Sequence, residues 1–570
     1  MRLKKLVSRI VRRGWRRVFG RSLALKNLRG SGLAPRRRVP GLPSGVSNIP
    51  TNIGPVRLLS VRPPVFLSGL SYNNYLGIAS AFARHYGNTK AGFAIFPTWS
   101  IEHPRFSKAI KRKFARYSKR YPNFRFRFMC NTRKETEMLM ALGLPAVFLN
   151  KNFMVSDQIF RPCRGVEVEF DAVYNARFVP EKRHELAAAI PRVGYLTYID
   201  SEPQRREQFH MLYAAALARN PNHVLLNELA DGQPATMSHE QVNIALGRAA
   251  IGLILSKVEG SSYASMEYLL AGLPVVSTPS TGGRDVFFDP EYCIVCEPTP
   301  AAVRDAVAAL RARNIPREIV RARTLAKVQM ERKRFLAMAD NLIEELGGQR
   351  PYRDNPWPFG DTSGVRWLPF EAHLAAFADR LRTDLGEEFG FPPDAFAQFQ
   401  LRMEELYPIV SKIRERRGCA LLVFGCGNDS LFWAKVNRGG TTVFLEDNQE
   451  WIARAAVAAA TVHQVSYGTK LADWLDLLDN PSKLKMDLPA EVGSRRWDVI
   501  IVDGPSGYDD TQPGRMKSIY AASRLVAQGG CVFVHDCERP AERAFATRFL
   551  GDHRLFLEAK GRALLRGYAF

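Results

Sequence analysis

The sequence lacks an apolar run long enough to cross a membrane. No uninterrupted hydrophobic stretch approaches the roughly 20 residues that a transmembrane helix needs. Near the N-terminus the apolar positions are separated by arginines, a pattern that argues against a secretory signal. We therefore expect the protein to stay in the cytoplasm.

Cysteine is scarce in this chain of 570 residues, which contains eight. Disulfide frameworks are typical of short, cysteine-dense secreted chains. One C-x-x-C motif, Cys293 and Cys296, lies in a short apolar, strand-like segment and has no second pair at zinc-finger spacing. The sequence therefore predicts structural cysteines rather than a disulfide scaffold or a zinc finger.

Acidic residues are absent from residues 1–40, which hold 14 of the Lys and Arg residues behind the net charge of +25. In this segment apolar side chains such as Leu6 and Ile10 fall opposite basic ones such as Arg9 and Arg13 on a helical wheel. This predicts a basic amphipathic helix, which lies on anionic membrane surfaces. A solvated basic arm and an Arg-rich transit peptide are the alternatives.

Nucleic-acid binding by this segment would require aromatic side chains between the positive charges, on which bases stack. Only Trp15 and Phe19 occur there. We therefore predict no nucleic-acid partner, and we expect the protein to lie peripherally on the inner face of the cell membrane.

Hydrophobic residues make up 46% of the chain and charged residues 24%, which is typical of a folded protein, and the length predicts three or four domains. Strand-like and helix-like segments alternate from about residue 64, as in parallel sheets. The predicted divisions are an N-terminal helix and linker (1–55), two tandem α/β domains (56–165 and 166–346), a linker (347–395) and a third α/β domain (396–570).

The third domain opens with a glycine turn. "LLVFGCGND" places Gly425 and Gly427 at a strand-to-helix junction, where small residues let the backbone approach a nucleoside cofactor. The next strand ends in Glu446, whose carboxylate can accept hydrogen bonds from ribose hydroxyls. Asp429 stands where a dinucleotide site has a third glycine, which favours a methyl donor without a pyrophosphate over NAD.

Two further strands of this domain end in carboxylates, Asp503 in "IIVDGP" and Asp536 in "VFVHDCE". Neighbouring strand ends would bring them together above the cofactor. There the pair can hold a divalent cation that lowers the pKa of a sugar hydroxyl, or one carboxylate can act as general base, with His535 as a rival base. The alternative is that these acids cap the helices that follow.

These segments, including "PGRM" and "VFVHD", resemble the glucuronoxylan 4-O-methyltransferase family from about residue 396 to residue 550. The resemblance implies transfer of a methyl group from S-adenosylmethionine to O4 of a glucuronic acid residue in a polysaccharide. It also implies a cofactor site at Gly425, Gly427, Asp429 and Glu446, and an acceptor side lined by Asp503, Tyr508, Arg515, His535 and Asp536. Arg515 is the candidate for the uronate carboxylate, because a guanidinium matches a carboxylate bidentately. Asn428 departs from the family pattern, which usually has His there.

Charged residues in the second domain suggest a diphosphate site. Arg177 lies five residues before Lys182 across a strand-to-helix loop, and two cations near a helix start can bind a diphosphate. Glu259 and Glu267 are eight residues apart, with small residues opening the helix that carries Glu267. A free helix N-terminus receives phosphate, and a Glu two turns later can reach ribose hydroxyls.

This pattern, followed by "AGLPVV", resembles the retaining GT-B glycosyltransferases, whose two Rossmann-like domains bind a nucleotide sugar. The resemblance implies that Arg177 and Lys182 bind the donor diphosphate, Glu259 contacts the donor sugar and Glu267 binds the ribose. Two features depart from it: the first domain is short, and it has no convincing glycine-rich nucleotide loop.

The sequence thus predicts an α/β protein with a GT-B pair followed by a Rossmann-like class I methyltransferase domain. Its leading interpretation is a bifunctional enzyme that adds a sugar, with UDP-glucuronate as candidate donor, to a glycan or lipid-linked oligosaccharide and O-methylates it. The alternative is a polysaccharide O-methyltransferase whose GT-B part is an inactive glycan-binding module.

Overall fold

A computed structural model describes most of the chain beyond the basic N-terminal segment. The described residues are 52–53, 56–70, 74–87, 89–198, 203–353, 357–359, 368–416, 418–456 and 461–570. The predicted amphipathic helix and most of its linker lie outside them. Within the described ranges, no helix is both long enough and apolar enough to span a bilayer.

The first domain is a five-stranded sheet whose strand order follows the chain, β2-β3-β4-β5-β6. Strands β1 to β6 are Asn52–Ile53, Val56–Val61, Pro64–Leu70, Ala91–Pro97, Phe124–Cys130 and Ala146–Phe148, and helices α1 to α3 are Ala79–Tyr86, Pro104–Arg120 and Arg133–Ala141. Strand β2 is antiparallel and the other pairings are parallel. Strands β3 and β4 are buried at every position, as expected for parallel strands covered on both faces.

The second domain is a six-stranded parallel sheet in the order β14-β13-β12-β7-β8-β9. Its elements are β7 Phe170–Asn175, β8 Val193–Leu196, α4 Pro203–Arg219, β9 Val224–Leu225, the hairpin β10 Leu229–Ala230 and β11 Gln233–Pro234, α5 His239–Gly247, β12 Ala249–Ile254, α6 Tyr263–Leu270, β13 Val275–Ser277, β14 Cys293–Val295, α7 Pro300–Ala312 and α8 Arg317–Glu345. Numbered within the domain, the order is 3-2-1-4-5-6, the doubly wound arrangement of dinucleotide-binding folds.

Helix α8 joins the first two domains. It leaves the second domain and packs its C-terminal half on the first sheet, where a side chain on Gly92 would meet Leu342 and Leu346. Near its middle the buried Arg332 donates to the carbonyl oxygens of Phe153 and Val155 in the first domain. The two Rossmann-like domains are therefore fixed to each other by one long helix.

The third domain is a seven-stranded sheet in the order β18-β17-β16-β19-β20-β22-β21. Its elements are α9 Phe370–Phe389, which follows β15 Leu368–Pro369, α10 Met403–Arg414, β16 Ala420–Phe424, α11 Ser430–Val436, β17 Thr441–Glu446, α12 Gln449–Ala456, β18 Thr461–Gln464, α13 Trp474–Asp479, α14 Ala490–Gly493, β19 Trp497–Val502, α15 Met516–Leu525, β20 Val526–Val534, α16 Pro540–Phe545, β21 Leu555–Lys560 and β22 Leu564–Ala569. Only β22 is antiparallel to its neighbours. The order 3-2-1-4-5-7-6 is that of the class I methyltransferase fold, so the three predicted Rossmann-like units are present.

The segment 347–395, predicted as a linker, contains helix α9 of 20 residues. Phe377 of this helix is buried and packs edge-on against Phe66 and Phe82 of the first domain, with ring centroids 5.6 Å apart in both pairs. Tyr86 of the first domain contacts Tyr407 of α10 in the same way, at 6.2 Å. The first and third domains thus share one hydrophobic core, because aromatic side chains between them bury large apolar areas. The predicted division of the chain did not include this packing.

Candidate functional site

The carboxyl ends of four neighbouring strands form one edge of the third sheet. Gly425 follows β16, and Glu446 is the last residue of β17. Asp503 follows β19, and Asp536 lies two residues beyond the end of β20. Ligands of open α/β sheets bind at this edge, outside the carboxyl ends of the strands. The structure therefore brings together the residues that the sequence assigned to the cofactor turn and to the chemistry.

The turn after β16 requires glycine for conformational and steric reasons. Gly425 has φ +107°, and a Cβ on it would lie 2.9 Å from the backbone nitrogen of Gly504. At Gly427 a Cβ would lie 2.9 Å from Asp429 Oδ1. Gly425 thus lets the turn lie close to the neighbouring strand end, and Gly427 leaves room for the Asp429 side chain, as suits a nucleoside-binding turn.

Glu446 ties the end of β17 to this turn. Its Oε2 accepts a hydrogen bond from the backbone N–H of Cys426 at 2.6 Å, and its Oε1 accepts from the N–H groups of Asp447 and Asn448. Burial raises the pKa of this carboxyl above its usual value. Because a carboxylate offers about four acceptor positions, the oriented Glu446 can still accept from a ribose hydroxyl.

Asp429 is a buried carboxylate that forms no ion pair in the described part of the chain, although the charge of His535 acts on it. Its Oδ2 accepts a hydrogen bond from the indole N–H of Trp433 at 2.9 Å. Burial, helped by the charge of Asp503, raises the pKa of Asp429 to about 6. S-adenosylmethionine carries an ammonium group, so a buried carboxylate on the cofactor turn, with Glu446 beside it, fits this cofactor.

His535 is enclosed by two carboxylates. Its Nδ1 lies 2.8 Å from Asp503 Oδ1 and its Nε2 lies 3.1 Å from Glu405 Oε1. Burial disfavours the charged ring, but Asp503 and Glu405 outweigh it and raise the pKa of His535 to about 10. An imidazolium with both N–H groups donated has no lone pair for a substrate proton, so this arrangement contradicts the predicted role of His535 as a base.

Arg515 lies between the two predicted catalytic carboxylates. Its Nη2 is 3.2 Å from Asp503 Oδ1 and 2.8 Å from Asp536 Oδ2, and Arg539 Nη2 lies 3.0 Å from the same oxygen of Asp536. Burial alone would raise the pKa of Asp503, but the charges of His535 and Arg515 lower it.

The predicted metal site does not fit this arrangement. A divalent cation at Asp503 and Asp536 would occupy the space that the guanidinium of Arg515 fills. Elsewhere in the described ranges, too, no three His, Cys, Asp or Glu side chains are grouped to bind a metal. The positive charge that the sequence assigned to a metal is supplied by two arginines.

Two nitrogens of the Arg515 guanidinium are unused. Its Nε and Nη1 are buried and have no hydrogen-bond partner among the described residues. Asp536, which pairs with Nη2, has φ +59°, an uncommon conformation that is found where function constrains the backbone. The predicted contact of Arg515 with a substrate carboxylate remains a prediction, and Nε and Nη1, which lie on opposite sides of the guanidinium, can each donate to a single substrate oxygen.

Tyr508, also predicted on the acceptor side, lies outside this buried cluster. It stands on the loop between β19 and α15 and is 76% exposed. Its role in contacting a substrate therefore remains a prediction that the described contacts do not support further.

Glu405 belongs to the site although the sequence interpretation did not single it out. This fully buried residue lies in the first turn of α10 and accepts hydrogen bonds from the backbone N–H groups of Arg402 and Ala563, at 2.7 and 2.9 Å, besides contacting His535. A Glu three residues after a helix N-cap is a recognisable capping signal. Its contact with His535 has no local signal, because it depends on tertiary packing.

In the second domain, Glu259 is buried and forms an ion pair with Lys182. The hydroxyl of Ser256 donates to the same carboxylate oxygen at 2.5 Å. Lys182 lies in a short 3-10 helix, Pro180–Lys182, and not at the start of an α-helix as predicted. Arg177 lies with its guanidinium 5.5 Å from the ring of Tyr198. The structure thus joins Lys182 to Glu259 and places Arg177 in a different contact.

Glu267 lies on helix α6 beside the end of β7. Its Oε2 accepts a hydrogen bond from the Asn175 side chain at 3.0 Å, and burial raises its pKa to about 7. The residue before this helix, Ser262, has φ +56°. Asn175 at the end of β7 therefore contacts the helix that carries Glu267, and the role of Glu267 in binding a ribose remains a prediction.

The first domain contributes residues to its interface with the second domain. Asn152 donates to the carbonyl oxygen of Ser261 at 2.7 Å, and Asn150 donates to that of Gly283 at 2.6 Å. Between them Lys151 is buried, with its ammonium 4.6 Å from the ring centre of Tyr263, and burial lowers its pKa to about 8. Sequence reasoning missed Lys151, because nothing in "LNKNFMVS" marks a cation that faces another domain.

Comparison with known proteins assigns the C-terminal region. Residues 404–486 and 480–566 match the family described as IRX15/IRX15L/GXM. Glucuronoxylan 4-O-methyltransferase 2 of Arabidopsis thaliana is 41% identical over 155 residues, 23% of this chain and 53% of the relative. Arabinogalactan O-methyltransferase 2 of the same plant is 37% identical over 178 residues, 26% of this chain and 61% of the relative. The chain thus spans between about half and two thirds of the curated relatives it matches, and the predicted resemblance is confirmed for this region.

Solved structures with low similarity to the chain include the following two. The apo structure of OtsA covers 50% of this chain and 72% of its own, at 11% identity and a TM-score of 0.34. Sucrose-phosphate synthase from Thermosynechococcus elongatus covers 47% and 95%, at 13% identity and a TM-score of 0.29. Because these TM-scores are low, the fold of the two tandem domains is assigned from the topology of their own sheets alone.

Proposed function

We propose that the C-terminal domain transfers a methyl group from S-adenosylmethionine to a sugar hydroxyl of a polysaccharide. The observation that carries this proposal is the edge of the third sheet, where a cofactor turn with the buried Asp429 adjoins a buried cluster of Asp503, Arg515 and Asp536. The O-methyltransferases of polysaccharides among the relatives support the same reaction.

Each residue at this edge has a separate role in the proposed reaction. When bound, S-adenosylmethionine supplies a methyl group on a sulfonium. Glu446 orients the ribose and Asp429 pairs with the ammonium group. Asp536 contacts both arginines through Oδ2 alone, which leaves Oδ1 to accept the proton of the sugar hydroxyl as its oxygen bonds to the methyl carbon. The electron pair of the broken carbon–sulfur bond stays on sulfur.

We further propose a uronic acid as the sugar, methylated at O4. Arg515 keeps two buried N–H groups without a hydrogen-bond partner among the described residues, and a carboxylate oxygen of a uronate is a suitable acceptor for one of them. The name of the relative glucuronoxylan 4-O-methyltransferase 2 supports both the sugar and the position. The name of the relative arabinogalactan O-methyltransferase 2 leaves the polymer open.

The N-terminal domains form the second half of the proposal, a nucleotide-sugar glycosyltransferase with UDP-glucuronate as candidate donor. Lys182 and Lys151 place two cations beside Glu259, where a departing diphosphate requires positive charge. Glu267 stands at the helix that would receive the ribose. The competing proposal, an inactive glycan-binding module, is favoured by the existing ion pair of Lys182 with Glu259, because a donor must compete with that contact.

A basic surface on the first domain supports a position at a membrane. Helix α2 carries eight Lys and Arg among its 17 residues and no acid, and most of these cations are exposed. Such a surface complements anionic lipid headgroups, as does the basic segment 1–40. We propose that the enzyme works at the cytoplasmic face of the membrane on lipid-linked glycans.

One experiment separates these possibilities. The full chain is incubated with S-adenosylmethionine, UDP-glucuronate and a lipid-linked oligosaccharide, and the products are weighed by mass spectrometry. Addition of a hexuronate followed by a methyl group supports the bifunctional enzyme. Methylation of an added uronate acceptor without sugar transfer supports the glycan-binding alternative, and no methylation of any glycan rejects the proposal.

A further inference from the structure

A groove of about 420 Å³ lies between helix α9, the start of α10 and the turn that joins β21 to β22. It lies on the side of the domain that holds Asp503, Arg515 and Asp536. It contains no aromatic side chain among its lining residues. The charged residues that line it are Asp379, Arg382, Arg402, Glu404, Lys560 and Arg562.

Residues next in the chain to the lining of this groove are hydrogen-bonded to the site. Glu405 accepts from the backbone of Ala563 in the β21–β22 turn with the same oxygen that contacts His535. The next residue, Leu564, exchanges backbone and side-chain hydrogen bonds with Cys537 and Glu538, which follow Asp536. A ligand in the groove therefore lies along the same sheet edge as a sugar held at Asp536.

The groove is basic, and part of its charge is uncompensated. Arg382 forms an ion pair with Asp379 at 2.7 Å, and Lys560 forms one with Glu538 at 3.4 Å. Arg402 and Arg562 are exposed and form no ion pair with any carboxylate in the described part of the chain. Two free guanidinium groups on one groove favour a ligand with regularly spaced anionic groups.

We propose that this groove binds an acceptor glycan through uronate carboxylates on sugars next to the one that is methylated. This inference rests on the proposed methyl transfer and adds the extended, polyanionic nature of the acceptor. A nucleic acid is a poorer occupant, because the groove offers no aromatic ring on which a base can stack. The occupant is a chain and not a single sugar, since Arg515 already serves the reacting residue.

The test compares the full-length protein with a double variant, Arg402→Gln and Arg562→Gln. Methyl transfer is measured on glucuronoxylan oligosaccharides with several uronates and on methyl glucuronoside, a single sugar. We expect KM for the oligosaccharides to rise about tenfold, as two charge-assisted contacts are lost, while kcat, KM for the single sugar and cofactor affinity stay unchanged. Added salt should narrow the difference between the two proteins.

Two further variants keep the test decisive. Glu404→Gln removes an acid from the groove and should lower KM for the oligosaccharides about twofold, opposite to the arginine variants. Arg438→Gln removes an exposed arginine at the opposite edge of the sheet and should change nothing. An unchanged KM in the double variant, or an equal loss on the single sugar, overturns the proposal.

Failure of the groove and failure of the proposed reaction give different results. If the unaltered protein methylates neither acceptor, the reaction is wrong, and binding of polygalacturonate is measured by calorimetry instead. Weaker binding by the double variant than by the unaltered protein then still supports a polyanion groove. Equal binding rejects it.

Discussion

Glu405 Oε1 lies 3.1 Å from His535 Nε2, although the two residues are 130 positions apart in the chain. Glu405 stands on a helix outside the sheet, and His535 stands at the end of a central strand. Through this contact the helix holds the imidazolium that in turn holds Asp503. The orientation of the acceptor side thus depends on Glu405, which is fully buried.

Replacing Glu405 with Gln should weaken methyl transfer through His535. The variant removes one of two carboxylates that stabilise the imidazolium, so the pKa of His535 should fall from about 10. We expect kcat to fall at least about tenfold, with its pH profile shifted toward acid. Ring signals of His535 in NMR titrations measure the pKa. The exposed Glu415→Gln, directly after the same helix, is the control, and an unshifted profile in E405Q would falsify the role.

The stability of the fold should depend on pH through His535. Its pKa is about 10 in the folded protein against an ordinary 6.5, so its pairing stabilises the fold fully below about pH 6.5. That contribution is lost as pH rises toward 10. Chemical denaturation of the protein and of a His535→Gln variant should therefore differ most at pH 6 and least at pH 10. A constant difference would show that the pKa of His535 is the same in the folded and the unfolded protein.

Replacing Asp429 with Asn should weaken cofactor binding. The variant keeps the shape of the side chain and an acceptor for the Trp433 indole, but it removes the charge that faces the cofactor ammonium. We expect the Kd for S-adenosylmethionine to rise about 10- to 100-fold, the cost of one charge-assisted contact in a buried site. Calorimetry measures it. Equal affinity of the two proteins would place the ammonium elsewhere.

Replacing Arg515 with Lys should disable the acceptor side while sparing the cofactor. A lysine keeps one positive charge, but it cannot bridge Asp503 and Asp536 and also present two N–H groups to a substrate. We expect kcat/KM for a uronate acceptor to fall by at least about 100-fold, or about 2.7 kcal/mol. Cofactor affinity should not change. Arg438→Lys is the matched control, and activity close to that of the unaltered protein would contradict the assignment.

Replacing Glu259 with Gln should separate the two proposals for the N-terminal domains. Glu259 is buried against Lys182, so the neutral amide leaves the lysine without its partner. If the domains transfer sugar, release of UDP from UDP-glucuronate should fall at least about 100-fold. The exposed Glu297→Gln is the control. No UDP release by the unaltered protein would favour a glycan-binding module.

The sequence predicted the strand ends better than it predicted what surrounds them. Asp503 and Asp536 follow apolar strands, and parallel strands end at one edge, so their proximity followed from local pattern. The use of Arg515 as their bridge did not follow, because an arginine and a metal satisfy the same pair of carboxylates. The sequence left open a cation between the two carboxylates or one carboxylate as base, and the structure places Arg515 between them.

Long-range packing explains the other differences. Helix α9 follows a Pro- and Gly-rich stretch, and nothing in its own sequence indicates that Phe377 packs on another domain. Lys151 and Glu405 likewise acquire their partners from segments that are distant in the chain. Such contacts form only when complete domains pack together, and a local sequence pattern contains no information about them.

The packing of α9 also limits how the protein can be divided. A recombinant fragment that begins at residue 396 would lack this helix, and with it one wall of the basic groove. A fragment that ends at residue 346 would expose Phe66 and Phe82 to solvent where Phe377 now covers them. We therefore expect the N-terminal fragment to be poorly soluble and the C-terminal fragment to have a defective groove. If the two halves were produced as separate proteins, another segment would have to cover the surfaces that helix α9 now covers.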